Sequence, residues 1–200
     1  MNESASRLFT FVTLLVALAL GACSSPSAPP PLEGASMGGP FTLTDQNGRR
    51  VSDRDFAGKY RLVYFGYTFC PDVCPIDMQV IGAGLRRFEA EDADRANRVQ
   101  PIFISVDPAR DTPARMRAFL ADYHPSFVGL TGTQAQVDSA KANFRVFATR
   151  KPDAEAPGGY VVPHTAITYL LDREGRYLAH FGDTVDPVAM VRRLTSIVTS

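Results

Sequence analysis

Apolar residues are grouped along this chain in two ways: as short continuous runs, and as sets spaced three and four apart. Residues 61–67 (RLVYFGY) and 99–106 (VQPIFISV) are runs of strand length, the pattern of central strands covered on both faces. Residues 127–130 form a third, shorter run. Residues 41–48 (FTLTDQNG) alternate and then turn, with Arg50 and Val51 on the return of a hairpin. Residues 165–171 (TAITYLL) and 177–181 (YLAHF) flank the turn sequence 172–175 (DREG), a second hairpin. Helical spacing lies between the runs. Met116, Phe119, Leu120 and Tyr123 share one helix face, with Thr112 to cap it and Pro113 at its first position. Thr133 and Gln136 form a capping box for a helix that buries Val137, Ala140 and Phe144. Asp186 and Pro187 open a last helix, buried through Val191, Leu194 and Val198. A further helix is expected over 75–88 with Ile81, Leu85 and Phe88 inward, weakened by Gly82 and Gly84.

Strands alternating with helices and closing on a hairpin and a helix imply an α/β fold of three layers. A thioredoxin-like sandwich has this order, here with an added N-terminal hairpin and an insert. The order alone also suits other small α/β folds.

Residues 1–39 depart from this pattern. Residues 8–20 (LFTFVTLLVALAL) are apolar over the length of a signal-peptide core, short for a membrane-spanning helix. They lead into Leu20-Gly21-Ala22-Cys23, which resembles the lipobox of bacterial lipoproteins. That resemblance implies a signal peptide over 1–22 and a lipidated Cys23 as the first mature residue. The competing reading is an uncleaved anchor with an incidental cysteine. Either puts the domain outside the cytoplasm, tethered to a membrane of a bacterial envelope. Residues 24–39 (SSPSAPPPLEGASMGG) lack the apolar residues for a core and read as a flexible tether. The expected organisation is therefore a signal peptide (1–22), a lipidated cysteine and tether (23–39), and a folded domain (40–200).

The 21 basic and 21 acidic residues balance, so nothing points to a nucleic-acid partner. A monomer is expected. With Cys23 assigned to lipid, Cys70 and Cys74 remain, and a loop this short adds little stability if closed by a disulfide. The pair has a chemical role in this reading. Cys70 follows an apolar strand, where α/β folds place active loops. Pro71 and Pro75 disfavour the α conformation before each, so regular helix should start near Pro75. Cys74 then stands at a helix N-terminus, a position that favours thiolate. Two thiolates fall short of the usual four zinc ligands but suit Cu(I), which a histidine would complete. Three histidines are available. His124, before Pro125, suits a helix end, and His180 lies inside a strand. His164 lies just ahead of a strand and after the turn 157–159, where a loop can reach across to another strand's end. Position alone leaves that choice open.

Several ordered segments resemble the Sco/SenC family, which assembles the copper centre of cytochrome c oxidase. They are FTLTDQNG (41–48), YFGYTFCPDVCP (64–75), SVDPARDTP (105–113), GLTGT (129–133) and HTAITYLLDREG (164–175). The resemblance implies a thioredoxin fold and a copper site, Cu(I) or Cu(II), formed by Cys70, Cys74 and His164. It also implies a copper-bearing oxidase subunit or another copper carrier as partner. The family often has Asp directly before this histidine, where the chain has Pro163. Redox-active thioredoxins have a cis proline in a comparable place, so Pro163 is expected against the cysteine pair and in the cis form. Asp107 either lies near the site or closes a loop before Pro108. Asp72 and Asp77 either guide docking or complement a helix N-terminus. Tyr67 and Phe69 either rim the site or pack in the core.

The leading expectation is a periplasm-side metallochaperone whose thiols link copper binding to disulfide formation. The alternative is a thiol–disulfide reductase using Cys70 and Cys74 as its redox pair, for which His164 is dispensable. A peroxidase of the peroxiredoxin type would want Thr at position 67, which is Tyr. A copper-dependent redox sensor shares the same residues.

Overall fold

The computed structural model describes residues 37–182 and 185–199. These lie within one compact unit, Leu32–Ser200. The expected signal peptide, Cys23 and residues 24–36 of the expected tether fall outside the described residues.

The strands are β1 (Thr42–Asp45), β2 (Arg50–Ser52), β3 (Tyr60–Gly66), β4 (Val99–Ser105), β5 (Val128–Thr131), β6 (Lys151–Pro152), β7 (Tyr160–Val161), β8 (Thr168–Leu171) and β9 (Tyr177–Phe181). The helices are α1 (Val73–Glu91), α2 (Ala93–Ala96), α3 (Pro113–Leu120), α4 (Gln134–Phe144) and α5 (Pro187–Ile197). One seven-stranded sheet runs β2-β1-β5-β4-β3-β8-β9, and β6 and β7 pair apart from it. β3, β4 and β5 are parallel, and β8 and β9 close the sheet antiparallel. The unit β3-α1-β4, followed later by β8-β9-α5, is the thioredoxin-like core. The β1–β2 hairpin is the expected N-terminal addition.

Every residue of β3 is buried, so its side chains alternate between two cores. Tyr64 packs by Phe103, and Phe103 by Phe119 of α3, on the face that also carries α1 and α5. Phe65 meets Phe144 of α4 and Tyr169 of β8 on the opposite face. The expected caps are present. Thr112, Thr133 and Asp186 accept from the backbone N–H groups of Arg115, Gln136 and Ala189.

Two boundaries and one peptide bond differ from expectation. α1 begins at Val73, ahead of Pro75. Proline is tolerated in a helix's first turn because the N–H groups there have no intrahelical acceptor. β8 begins at Thr168, later than expected, because 163–165 pair with 147–149. The bond before Pro163 is trans, like every peptide bond among the described residues, which corrects the cis expectation. Extended backbone is what this segment's pairing requires: the Pro163 carbonyl accepts from Thr149 N–H at 3.1 Å.

Helix α1 survives its two glycines because each allows a close approach. A Cβ at Gly82 would stand 2.8 Å from the Tyr123 carbonyl oxygen, and one at Gly84 2.9 Å from Met190 Sδ. Gly82→Ala should gain about 1 kcal/mol of helix propensity but lose ~1–3 kcal/mol to overpacking against fixed backbone. A lower urea midpoint is expected. A higher one would show that the 121–124 turn yields.

Candidate metal centre

β3 ends at Gly66, and the chain turns so that Cys70 N–H donates to the Tyr67 carbonyl at 3.2 Å. α1 then starts, with Cys74 in its first turn and fully buried. Gly66 makes room for that sulfur: a Cβ there would lie 3.0 Å from Cys74 Sγ and 2.8 Å from the Tyr64 ring. Cys74 N–H, one of the helix's unpaired amides, points at Cys70 Sγ at 3.4 Å.

His164 arrives from the other side of β3, in the segment ahead of β8. The β6–β7 hairpin feeds Val162, whose N–H donates to Tyr67 Oη at 3.1 Å, and His164 bridges to Ala148. The imidazole stands edge-on to Tyr64 and Tyr67. Its Nδ1 lies 3.1 Å from the Thr165 carbonyl oxygen, which only accepts, so Nδ1 carries the proton. The other ring nitrogen, Nε2, faces Cys74 Sγ at 3.1 Å. A backbone carbonyl thus orients the ring from beside Pro163. One donor atom from each of Cys70, Cys74 and His164 falls within 4.8 Å of the others, the one such grouping among the described residues.

The two thiols divide the work unequally. Both are free. A hydrogen bond from Cys74, with further ones from His164 and the backbone at Asp72 and Cys74, holds the Cys70 thiol down at about 4. Burial pushes Cys74 up, and the neighbouring Cys70 thiolate reinforces this. Thiolate therefore belongs to Cys70, which corrects the expectation for Cys74. The amides of the helix start serve the half-exposed sulfur, while the one inside the helix turn is desolvated. Tyr64, unremarked in the sequence, is pushed up first by burial and further by the acidic groups beside it, and donates to Asp77 Oδ2 at 2.9 Å.

The other candidates sort clearly. Asp77 touches the site through Tyr64. Asp72 is exposed and precedes α1 without a side-chain cap bond. Tyr67 is a core residue with one edge on His164. Phe69 is half-buried between the guanidinium groups of Arg110 and Arg115, 4.9 and 3.6 Å from its ring centre. Asp107 is buried behind the metal loop and pairs with Arg110 and Arg150. His124 sits past the end of α3, with Nδ1 2.7 Å from Ser126 Oγ and Nε2 3.5 Å from Glu89. His180 is exposed on β9 and stacks with Tyr177.

The SCO1/SenC family profile matches residues 29–199. The chain belongs to the SCO1/SenC family. It spans about half the length of the mitochondrial proteins SCO2 and SCO1 of Saccharomyces cerevisiae, 49% and 55%. It is 36% identical to that SCO1 over 165 residues, 82% of this chain. Among solved Sco structures, Bradyrhizobium japonicum ScoI with copper bound is 42% identical, with a TM-score of 0.72 over 80% of this chain and 98% of that one. BsSco, described with a disulfide switch in a family of cytochrome c oxidase assembly proteins, is 25% identical. Its TM-score is 0.61 over 79% of this chain and 91% of that one. No helix among the described residues is long and apolar enough to cross a membrane.

With its thiolate held at Cys70, the reduced apoprotein should alkylate there first. Iodoacetamide labelling followed by peptide mapping should show a Cys70 rate nearly flat from neutral pH down to about pH 5, falling only as pH nears 4. Cys74 should stay unlabelled until the chain unfolds. A Cys70 rate that falls from pH 9 downwards would contradict this assignment.

Proposed function

We propose that this chain is a copper carrier of the bacterial cell envelope, with Cys70, Cys74 and His164 holding one copper ion as cargo for cytochrome c oxidase assembly. The observation that carries the reading is the convergence of two sulfurs and an imidazole nitrogen within 4.8 Å. Two thiolates and one imidazole suit Cu(I), a soft ion satisfied by few ligands. Cys70 enters as thiolate, and Cys74 gives up its proton on binding, which makes uptake pH-dependent. The copper-bound state of ScoI and the oxidase-assembly role stated for the family of BsSco support the same reading. The receiving partner is a copper-bearing oxidase subunit or a further copper carrier.

The half-exposed Cys70 thiolate beside a buried Cys74 also favours a second role, reduction of a partner disulfide. Cys70 attacks the disulfide and releases one partner thiolate. Cys74 then loses its proton, attacks Cys70 and frees the second partner thiolate, leaving the Cys70–Cys74 pair oxidised by two electrons. Such a pair binds copper only when reduced, so the two roles exclude each other at any instant.

Titrating the reduced, oxygen-free chain with Cu(I) against a competing chelator tests the carrier. One tight equivalent is expected. His164→Ala should weaken it by more than the roughly 100-fold that outer partners of a metal ligand contribute. Binding indifferent to His164 would leave only the reductase.

The placement outside the cytoplasm rests on the apolar run 8–20 and the Leu20-Gly21-Ala22-Cys23 sequence. In this reading Cys23 is lipidated, 24–39 is a tether and the working domain begins near Pro40. Cys23→Ser should abolish incorporation of a labelled fatty acid and leave the leader uncleaved. Unchanged labelling would sink the lipoprotein reading.

A further inference from the structure

The turn after β4, within the segment SVDPARDTP, contains two buried carboxylates that the proposed copper chemistry does not use, Asp107 and Asp111. They reach in different directions. Asp111 accepts from Thr68 N–H at 3.2 Å, from Thr68 Oγ1 at 2.7 Å and from Ser105 Oγ at 2.6 Å. That arm holds the loop two residues before Cys70. Asp107 accepts from Tyr160 Oη at 2.9 Å and from Arg150 at 3.1 Å, and it pairs with Arg110. Tyr160 opens β7 and Arg150 directly precedes β6, so both belong to the hairpin segment that delivers His164.

Arg110 ties the arms together. It donates to the Pro157 carbonyl and, at 3.1 Å, to the Tyr160 carbonyl. Its guanidinium lies 3.7 Å from the centre of the Tyr160 ring and 4.9 Å from that of Phe69, the residue before Cys70. One planar cation is thus stacked between the cysteine loop and the histidine hairpin. Ion pairing on a buried carboxylate is poorly explained by stability, since well-packed apolar groups of similar volume often serve as well. Its fixed directions do supply geometry.

We infer that Asp107 and Arg110 are positioning residues: a clasp on the β4 turn that sets His164 at its distance from the cysteine pair. The inference rests on the copper reading for its first readout and is independent of it for the second. Opening the clasp frees the hairpin and with it the imidazole, while Asp111 keeps the cysteine loop in place. A two-sulfur site then remains.

A double-mutant cycle tests this on the full reduced chain, with Cu(I) and a competing chelator. Asp107→Asn should weaken binding about 10- to 100-fold, yet change it less than about 2-fold in a His164→Ala background, as coupled residues do. Equal losses in both backgrounds would mean general damage and overturn the clasp. Tyr160→Phe, which removes only the hydroxyl and keeps the ring, should act in the same direction more weakly. The second readout needs no metal. Imidazole NMR signals of the apoprotein should shift or broaden for His164 in Asp107→Asn, while those of His124 and His180 stay put. An unmoved His164, or movement of all three, would also overturn the clasp. If His164→Ala alone leaves copper binding unchanged, the copper reading fails, and the NMR result still decides the clasp.

Discussion

Side by side at the carboxyl ends of two parallel strands, Gly66 of β3 and Ser105 of β4 stand in register. One residue further on, Val106 N–H closes the pairing on the Gly66 carbonyl at 2.8 Å. Two loops consequently leave the sheet together, one carrying Thr68 to Cys74 and the other Val106 to Asp111. Everything at the site depends on that shared exit. It places Thr68 within reach of Asp111 and Phe69 within reach of Arg110. Antiparallel β8, paired to the other side of β3, brings the segment containing His164 to the same end of the sheet. A slip of one residue between β3 and β4 would turn Tyr64 and Phe65 into each other's cores and dismantle the site with the fold.

Within that frame, depth decides chemistry. Both cysteines lie at one helix start, yet they differ because the same amides point at one sulfur while protein covers the other. Gly66 is what permits the covering, since any side chain there would compete with Cys74 for space. The aromatic walls of Tyr64 and Tyr67 then exclude water from the inner side, and the Thr165 carbonyl fixes which imidazole nitrogen looks inward.

Much of this was legible in the chain. The runs at 61–67 and 99–106 are the two central strands, and the capping residues Thr112, Thr133 and Asp186 mark helix starts within a residue. The cysteine pair stands out by its spacing and flanking prolines. His164 was less visible: position left it one of three, and the family resemblance singled it out. The protonation of the pair was misjudged, because a helix terminus can be read from sequence but the depth of a sulfur cannot. Asp111, Arg110, Tyr160 and Gly66 were missed for a related reason. Each acts on a residue far along the chain, and an arginine in a turn reads locally as a solvated charge. The β6–β7 hairpin, with strands of two residues, has too little pattern to announce itself.

Burial across the three donor residues is graded, with Cys74 closed off and Cys70 and His164 half open. An incoming donor from another protein meets the outer two before the inner one. On the copper-carrier reading, exchange at such a site would be ordered in time: the ion's tie to the outer sulfur or to the imidazole would be replaced first, and the tie to Cys74 would be last to break. Direction of travel would thereby be written into depth, with the inner sulfur a backstop that keeps the ion from being lost to water part-way through a transfer.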